Sequence, residues 1–297
     1  MTLTIAVLHS CPCPTISSRQ ILNEAKKLGC KTKYLRPQEI IASLERSGTQ
    51  VYRGEKAIDV DILFPRSIGN VSAIEMFLWR LDIIRLFECT GTLSINSYDS
   101  IMRTRDKFFS LLVLSSNNIP TPETIVTESL AVALKTIEDW GRVLVKPLVG
   151  SFGRGIVLLD NPDIAYPILK QLLSWSQPLM IQKYYEKKNR RDLRVLVINN
   201  EAYASYWRIA REGSFKTNVA QGGSVARAEV PEDVLEIAIK TTEALGLFYA
   251  GVDLMEDSEG RFMVLEANAS PLWKGAVRLG YNPARKLVSE ALKELRR

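Results

Sequence analysis

Short apolar runs and longer amphipathic stretches alternate through the first third of the chain, each pair separated by a few polar or turn-forming residues. Residues 3–8 (LTIAVL) read as a strand, and residues 17–28 as a helix that stops at Gly29, a residue that accepts the left-handed backbone of a helix end. Lys31–Leu35 reads as a second strand and 38–46 as a helix. A small hairpin turns at Gly54, 60–64 forms a third strand, and 71–88 a long helix. Short connections between such units favour a parallel sheet. The pattern then changes at a boundary near 94–99. A helix over 104–116 carries Lys107 and is ended by Asn117-Asn118-Ile119-Pro120-Thr121-Pro122. After it, strands are expected at 143–146, 156–159, 179–182, 192–198, 248–256 and 261–267, with the polar turn Asp257-Ser258-Glu259-Gly260 joining the last two.

That last hairpin carries the first candidate chemistry. Alternate side chains on a strand share a face, so Glu266 and Asn268 point the same way. If the hairpin closes near Glu256 and Arg261, Asp253 falls diagonally opposite Glu266 on that face. Two carboxylates and an amide oxygen are hard ligands suited to Mg²⁺. Their neighbours Val252, Leu254, Val264 and Leu265 are apolar, so the acids need a cation or a donor to offset desolvation. For one hairpin alone, acids on a solvated sheet face explain the same residues.

Other segments bear on that choice. The strand ending in Lys146 is followed by Gly150-Ser151-Phe152-Gly153-Arg154-Gly155, a hairpin loop whose backbone N–H groups can approach phosphate oxygens closely. Lys146 supplies a point charge for the same anion. The junction after 179–182, at Lys183 and Tyr184, can offer backbone groups to a flat heterocycle. Residues 206–218, with Arg208, Arg211, Lys216, Thr217 and Asn218, are dense in cations and amides and suit anionic substrates. An ordinary flexible hairpin and a solvated loop are the plain alternatives for these two segments.

Together, Lys107, Lys146, the glycine hairpin, the Gln182 junction, Asp192, Lys216 to Asn218, and Asp253 with Glu266 and Asn268 resemble the ATP-grasp superfamily, with the closest resemblance to the RimK-like amino-acid ligases over about 97–292. The resemblance implies an α/β protein: an N-terminal parallel-sheet domain (1–96) and a two-lobed ATP-grasp domain (97–297, with a central lobe 97–180 and a C-terminal lobe 181–297). It implies that Lys107, Lys146 and the hairpin residues Gly150, Ser151, Phe152 and Gly153 contact phosphates. Backbone at Lys183 and Tyr184 would hold adenine, and Asp192 with Lys216, Thr217 and Asn218 would complete the ATP contacts. Asp253, Glu266 and Asn268 would hold Mg²⁺, with Mn²⁺ as the alternative ion. Arg208 and Lys216 would stabilise charge on the transferring phosphoryl group. Relatives often carry glutamate where this chain has Lys183; the family uses backbone there, so the departure changes little. The long tail of some relatives has no counterpart here, and no extra domain is expected.

Composition narrows the field. With 46% apolar and 24% charged residues the chain is globular rather than disordered. Its net charge of +6 suits phosphates or an acidic substrate. No basic block or aromatic-interleaved stripe supports nucleic acid. The chain opens directly on a strand, without a signal peptide or a membrane-length apolar run, so a cytoplasmic protein with no membrane contact is expected, with a homo-oligomer allowed. Cys11, Cys13, Cys30 and Cys89 have no paired metal-ligand spacing, and Cys11-Pro12-Cys13-Pro14 reads as reduced thiols in a loop. Arg66 lies just past an expected strand end, where ligands often bind in open sheets, and could hold a substrate carboxylate or serve the fold. His9, the only histidine, lacks a partner motif for a nucleophilic triad.

The resemblance implies a carboxylate–amine ligase. The run Asn268-Ala269-Ser270-Pro271-Leu272-Trp273-Lys274-Gly275 looks more like glutamate ligases than the lysine-biosynthesis type. Glutamate addition to a deazaflavin or pterin coenzyme comes first. Glutamylation of a protein C-terminus and a carrier-dependent lysine-biosynthesis ligase are alternatives, and a nucleotide-binding protein without turnover is the alternative of another class.

Overall fold

A computed structural model describes residues 2–46, 48–69, 73–150, 154–209 and 224–296. The chain begins with β1 (Thr4–His9), α1 (Ile16–Lys27) and β2 (Lys31–Leu35), close to expectation. The next segment departs from it. Residues 38–46 are not a helix: a 3₁₀ turn at Pro37–Glu39 leads into β3 (Ile41–Glu45), which pairs antiparallel with β4 (Gly48–Arg53), itself paired with β5 (Lys56–Ala57). Thr49, Val51 and Tyr52 form a strand-favouring partner immediately downstream, and cross-strand pairing outweighs the modest helix propensity of Glu39 to Arg46. Then come β6 (Ile62–Ser67), α2 (Ile74–Cys89) and β7 (Leu93–Ser94). The sheet order is β2-β1-β6-β7, all parallel, as the alternating pattern predicts.

The expected helix over 104–116 is two helices, α3 (Tyr98–Arg105) and α4 (Lys107–Ser116). Asp106 between them has extended backbone (φ −88°, ψ 113°), and its carboxylate accepts from the N–H groups of Phe108 (2.9 Å) and Phe109 (3.1 Å). A capping aspartate satisfies orphan donors and starts a new helix there. β8 (Thr124–Thr127), α5 (Leu130–Trp140), β9 (Val143–Lys146), β10 (Val157–Leu159), α6 (Pro162–Ser174) and β11 (Leu179–Lys183) follow. Their strands form an antiparallel sheet in the order β10-β9-β11-β8. The sheet has its own core, in which Ala133, Ile137 and Leu169 pack on Val145 and Ile181.

The last part comprises β12 (Arg191–Ile198), β13 (Glu201–Ile209), β14 (Ser224–Arg227), α7 (Glu232–Leu245), β15 (Tyr249–Glu256), β16 (Phe262–Asn268), α8 (Lys274–Arg278) and α9 (Pro283–Glu294). Its five strands run antiparallel in the order β14-β13-β12-β15-β16. Leu193, Val195 and Val252 face a core shared with Ala238 and Leu245 of α7 and Leu114 of α4. On the opposite face, Leu196, Ile198 and Tyr249 join Leu287 and Val288 of α9 and Ile5, Val7 and Phe64 of the parallel sheet. Strand alternation thus makes this sheet the middle layer of two cores.

Two buried polar side chains fasten the parallel sheet to it. Arg66 lies inside β6 and donates to Tyr249 Oη (3.0 Å), Ser17 Oγ (3.1 Å) and the Pro271 carbonyl (2.6 Å), with its guanidinium 4.6 Å from the Trp273 ring centroid. It is a structural arginine with its donors already engaged. The Asn96 amide donates to the carbonyls of Tyr249 (2.8 Å) and Ala269 (2.7 Å), while its oxygen accepts from the N–H groups of Phe248 (2.7 Å) and Tyr249 (3.1 Å). His9 meets Ser18 Oγ at 3.0 Å, but burial first and Arg66 second lower its pKa to about 4, opposite to what a general base beside an acid would need.

Candidate active site

The acidic hairpin closes one residue later than expected, with Glu256 opposite Phe262, and a register shift follows between Asp253 and Leu254. The extra residue of this β-bulge brings Asp253 directly opposite Glu266 rather than diagonal to it. Asn268 shares the face, and its Nδ2 donates to Glu266 Oε1 at 3.1 Å. Acids on a solvated face are excluded for Asp253, which is 3% exposed.

Asp253 is held by two arginines that the sequence pattern did not single out together. Arg194 is its cross-strand neighbour on β12 and forks onto both its oxygens, with Nη2 2.7 Å from Oδ2. Arg208 of β13 reaches the same Oδ2 at 2.9 Å and donates to Asp192 Oδ1 at 2.6 Å. Asp192 in turn accepts from Lys187 Nζ at 3.1 Å. All four of the acids and arginines in this chain of contacts are buried, and full pairing offsets the cost of burying their charge. Burial pushes the Asp253 carboxyl up against the pull of Arg194 and Arg208. Burial lowers the Arg208 pKa, yet Asp253 and Asp192 hold it above the ordinary arginine value. Room for Arg194 comes from Gly251, two residues before Asp253 on β15: a Cβ there would overlap the guanidinium and lie 2.8 Å from Pro271 Cβ.

The two expected phosphate lysines approach from the other side. Lys146, the last residue of β9, donates to Gln182 Oε1 on β11, and Gln182 Nε2 donates to Thr124 Oγ1 at 2.9 Å. Burial chiefly lowers the Lys146 pKa to about 8, with Glu266 opposing and Lys187 and Lys107 adding to the shift. Lys107 opens α4; its N–H meets the Leu148 carbonyl at 3.0 Å and its Nζ the Gly150 carbonyl at 2.6 Å, which docks the helix start on the glycine hairpin. Burial lowers the Lys107 pKa while Glu266 counters it. For Glu266 burial acts upward, but Lys107, Asn268, Arg194 and Arg208 hold its carboxyl below the usual value. Five cations thus surround three carboxylates, a positive excess that suits a polyanion.

At the heterocycle junction the N–H of Lys183 donates to the Glu123 carbonyl (2.9 Å) and that of Tyr184 to the Arg142 carbonyl (2.9 Å). What these two residues can offer a base is therefore their carbonyls, not their amides. Ser151, Phe152 and Gly153 of the hairpin, and Arg211, Lys216, Thr217 and Asn218, lie outside the described residues.

The donor set is that of a hard cation such as Mg²⁺. Glu266 has one oxygen oriented by Asn268, and the Asn268 amide adds a neutral oxygen. Asp253 offers only the lone pairs that Arg194 and Arg208 leave over. Two carboxylates plus an amide oxygen, all hard, are donors that fit Mg²⁺. No cluster of three His, Cys, Asp or Glu side chains competes with them among the described residues. Arg194, Asn96 and Gly251 escaped the sequence reading because their partners lie far off in the chain.

Known proteins are similar to this chain in sequence and in fold. The model of the RimK-like ATP-grasp domain matches residues 104–291. The tetrahydromethanopterin:alpha-L-glutamate ligase of Methanocaldococcus jannaschii is 31% identical over 278 residues, which cover 92% of this chain and 93% of that protein. The alpha-aminoadipate–LysW ligase LysX of Saccharolobus solfataricus is 28% identical, over 94% of this chain and 98% of its own length. Some relatives are longer: the matched part is 59% of a probable alpha-L-glutamate ligase of Shewanella halifaxensis. Among solved structures, the ATP-grasp ligase PsnB complexed with a phosphomimetic precursor variant, Mg and ADP aligns over 98% of each chain with a TM-score of 0.78 at 19% identity, a likeness of fold.

Proposed function

The chain belongs to the RimK-like family of ATP-grasp ligases, and on that basis we propose that it joins L-glutamate to a carboxylate of a small coenzyme of the pterin or deazaflavin type, using ATP. The observation that carries the reading is the convergence of Lys107 and Lys146 on Glu266, opposite Asp253 and beside Asn268. On this reading residues 1–96 flank the acceptor and the rest of the chain grips the nucleotide.

An oxygen of the acceptor carboxylate attacks the γ-phosphorus, the bond to the ADP oxygen breaks, and an acyl phosphate forms. The neutral glutamate amine then attacks the acyl carbon, the C–O bond to phosphate breaks, inorganic phosphate leaves with the proton the nitrogen gives up, and an amide remains. Lys146 and Lys107 hold phosphate oxygens, and Arg208, fixed by Asp192 and Asp253, faces the charge that builds on the transferring group. Glu266, Asn268 and the spare lone pairs of Asp253 would hold Mg²⁺, which would supply charge neutralisation at the phosphates. Positioning supplies most of the remainder, since no covalent enzyme intermediate is required.

The test is a panel of amino acids against pterin, deazaflavin and peptide acceptors with ATP, read by product mass and ADP release. A mass increase of one glutamyl residue on a coenzyme is expected. Lysine or a neutral amino acid outcompeting glutamate overturns the amino-acid assignment, and addition only to peptides overturns the acceptor.

A further inference from the structure

The parallel sheet carries a cluster of donors that the roles above leave unused. In the order β2-β1-β6-β7, β1 continues through α1 to β2 on one side, and β6 through α2 to β7 on the other. The loops leaving the carboxyl ends of β1 and β6 therefore diverge at a topological switch point, where open parallel sheets place their ligands. Arg66 does not serve there, since its guanidinium is engaged by Ser17, Tyr249 and Pro271. The residues just beyond it take its place.

Ser10 follows β1, and its N–H donates to the Ser67 carbonyl at 2.9 Å. Arg80 reaches back from α2, and its Nη1 donates to the Ile68 carbonyl at 2.5 Å. Gly69, at φ +89°, turns the β6 loop between them: a Cβ there would lie 2.6 Å from Arg80 Nη1 and 2.9 Å from Ser10 Oγ. A guanidinium and a hydroxyl thus converge on one point, and only a glycine leaves them room. Both side chains are half-buried, and each is fixed by a backbone contact of its own loop. The fork of a guanidinium matches the paired oxygens of a carboxylate, and a hydroxyl beside it adds a further donor.

This cluster adjoins the proposed ligase centre. Ser270 Oγ donates to the Pro65 carbonyl at 2.7 Å, and Arg66 to the Pro271 carbonyl at 2.6 Å. The end of β6 is therefore bound to the residues that directly follow Asn268 and Ala269. Gly69 lies four residues past Pro65, a reach of at most about 14 Å along the chain. A group seated at Gly69 is set back from the phosphates by a distance that suits a second carboxylate rather than the reacting one.

We infer that Arg80 and Ser10 form a subsite for a non-reacting carboxylate of the acceptor, so that the acceptor is at least a dicarboxylate. The inference rests on the ligase reading above and deepens it by naming the acceptor's charge and the loops that bind it.

The test titrates N-acetyl-L-glutamyl-L-glutamate, a minimal acidic tail, into protein loaded with Mg²⁺-AMPPNP, for wild type, Ser10→Ala, Arg80→Ala and Arg80→Gln. Arg80→Ala should weaken the probe about ten- to a hundredfold, and Ser10→Ala by up to about tenfold. Arg80→Gln keeps an N–H donor for the Ile68 carbonyl but loses the charge, so it should weaken the probe while holding the wild-type thermal midpoint. The Kd of Mg²⁺-AMPPNP should not change in any variant. The inference is overturned if wild type binds no probe at millimolar concentration, or if Arg80→Ala stays within twofold of wild type. Wild-type probe binding by Arg80→Gln also overturns it and confines Arg80 to holding the loop, and a loss of AMPPNP in place of the probe puts a phosphate there instead. Failure of the ligase reading shows separately, as Lys146→Ala and wild type binding Mg²⁺-AMPPNP equally.

Discussion

A buried lysine carries its charge only while the pH stays below its own pKa. Lys146, pushed to about 8 chiefly by burial, is about nine-tenths charged at pH 7 and loses charge as the pH rises through about 8. Nucleotide affinity should therefore be flat below that point and fall above it, by at most about tenfold per pH unit. Lys146→Arg, charged throughout, should flatten the profile, and Lys146→Ala should weaken ATP binding about ten- to a hundredfold at pH 7. Calorimetric titration across the range checks both, and a wild-type affinity that rises above pH 8 would contradict the assignment. For folding the sign is reversed: the lowered pKa means that burying the charged form costs stability below about pH 8, a cost relieved as the pH climbs toward the unfolded value of about 10.4. The two acids should also differ. Glu266→Gln removes a charge flanked by Lys107 and Asn268 and should abolish turnover with the thermal midpoint nearly unchanged. Asp253→Asn leaves the buried Arg194 guanidinium without a carboxylate and takes one of two from Arg208, which costs about 3–5 kcal/mol. Its thermal midpoint should drop by roughly 10 °C, and equal midpoints for the two variants would refute the role given to Arg194 and Arg208.

The β15–β16 hairpin depends on a clamp that neither strand contains. Asn96→Ala would leave two carbonyls and two N–H groups at its open end without their partner, at about 1–3 kcal/mol for each group that water does not reach. Asn268 precedes the clamped Ala269, so the variant should need more Mg²⁺ for half-maximal turnover as well as unfold earlier; an unchanged Mg²⁺ requirement would confine Asn96 to stability. This division also explains what could be read from the chain. Asp253, Glu266 and Asn268 were legible because strand alternation and one short turn relate them locally. The bulge that sets them opposite each other was not, because alternation fixes which face a side chain takes and not the register of two strands. Arg194 and Asn96 were invisible because their partners lie 59 and 153 residues away. The segment 38–46 misled for a similar reason, its fate being decided by Thr49–Tyr52 rather than by its own composition.

The whole molecule sets the proposed ligands on two sheets with separate cores. Lys146 and Gln182 belong to the β10-β9-β11-β8 sheet, and Asp253, Glu266 and Asn268 to the five-stranded one. Among the described residues, backbone bonds between the two sheets' surroundings are few: Lys107 to Leu148 and Val264 to Pro120 are the ones beside the site. A body with its own core and few outside contacts can open at less than the global cost. Amides of β9 and β11 should thus exchange hydrogen at lower free energy than those of β12 and β15 in the free protein. A nucleotide whose base meets one sheet and whose phosphates meet both should couple them. At a hundredfold excess over its Kd, Mg²⁺-ADP should slow exchange in both sheets by up to about 2.7 kcal/mol. Adenosine, lacking phosphates, should protect β9 and β11 alone. Protection by Mg²⁺-ADP restricted to β12–β16, or spread equally by adenosine, would mean that the phosphates do not bridge Lys146 and Glu266, and the ligase site would have to be redrawn on one sheet.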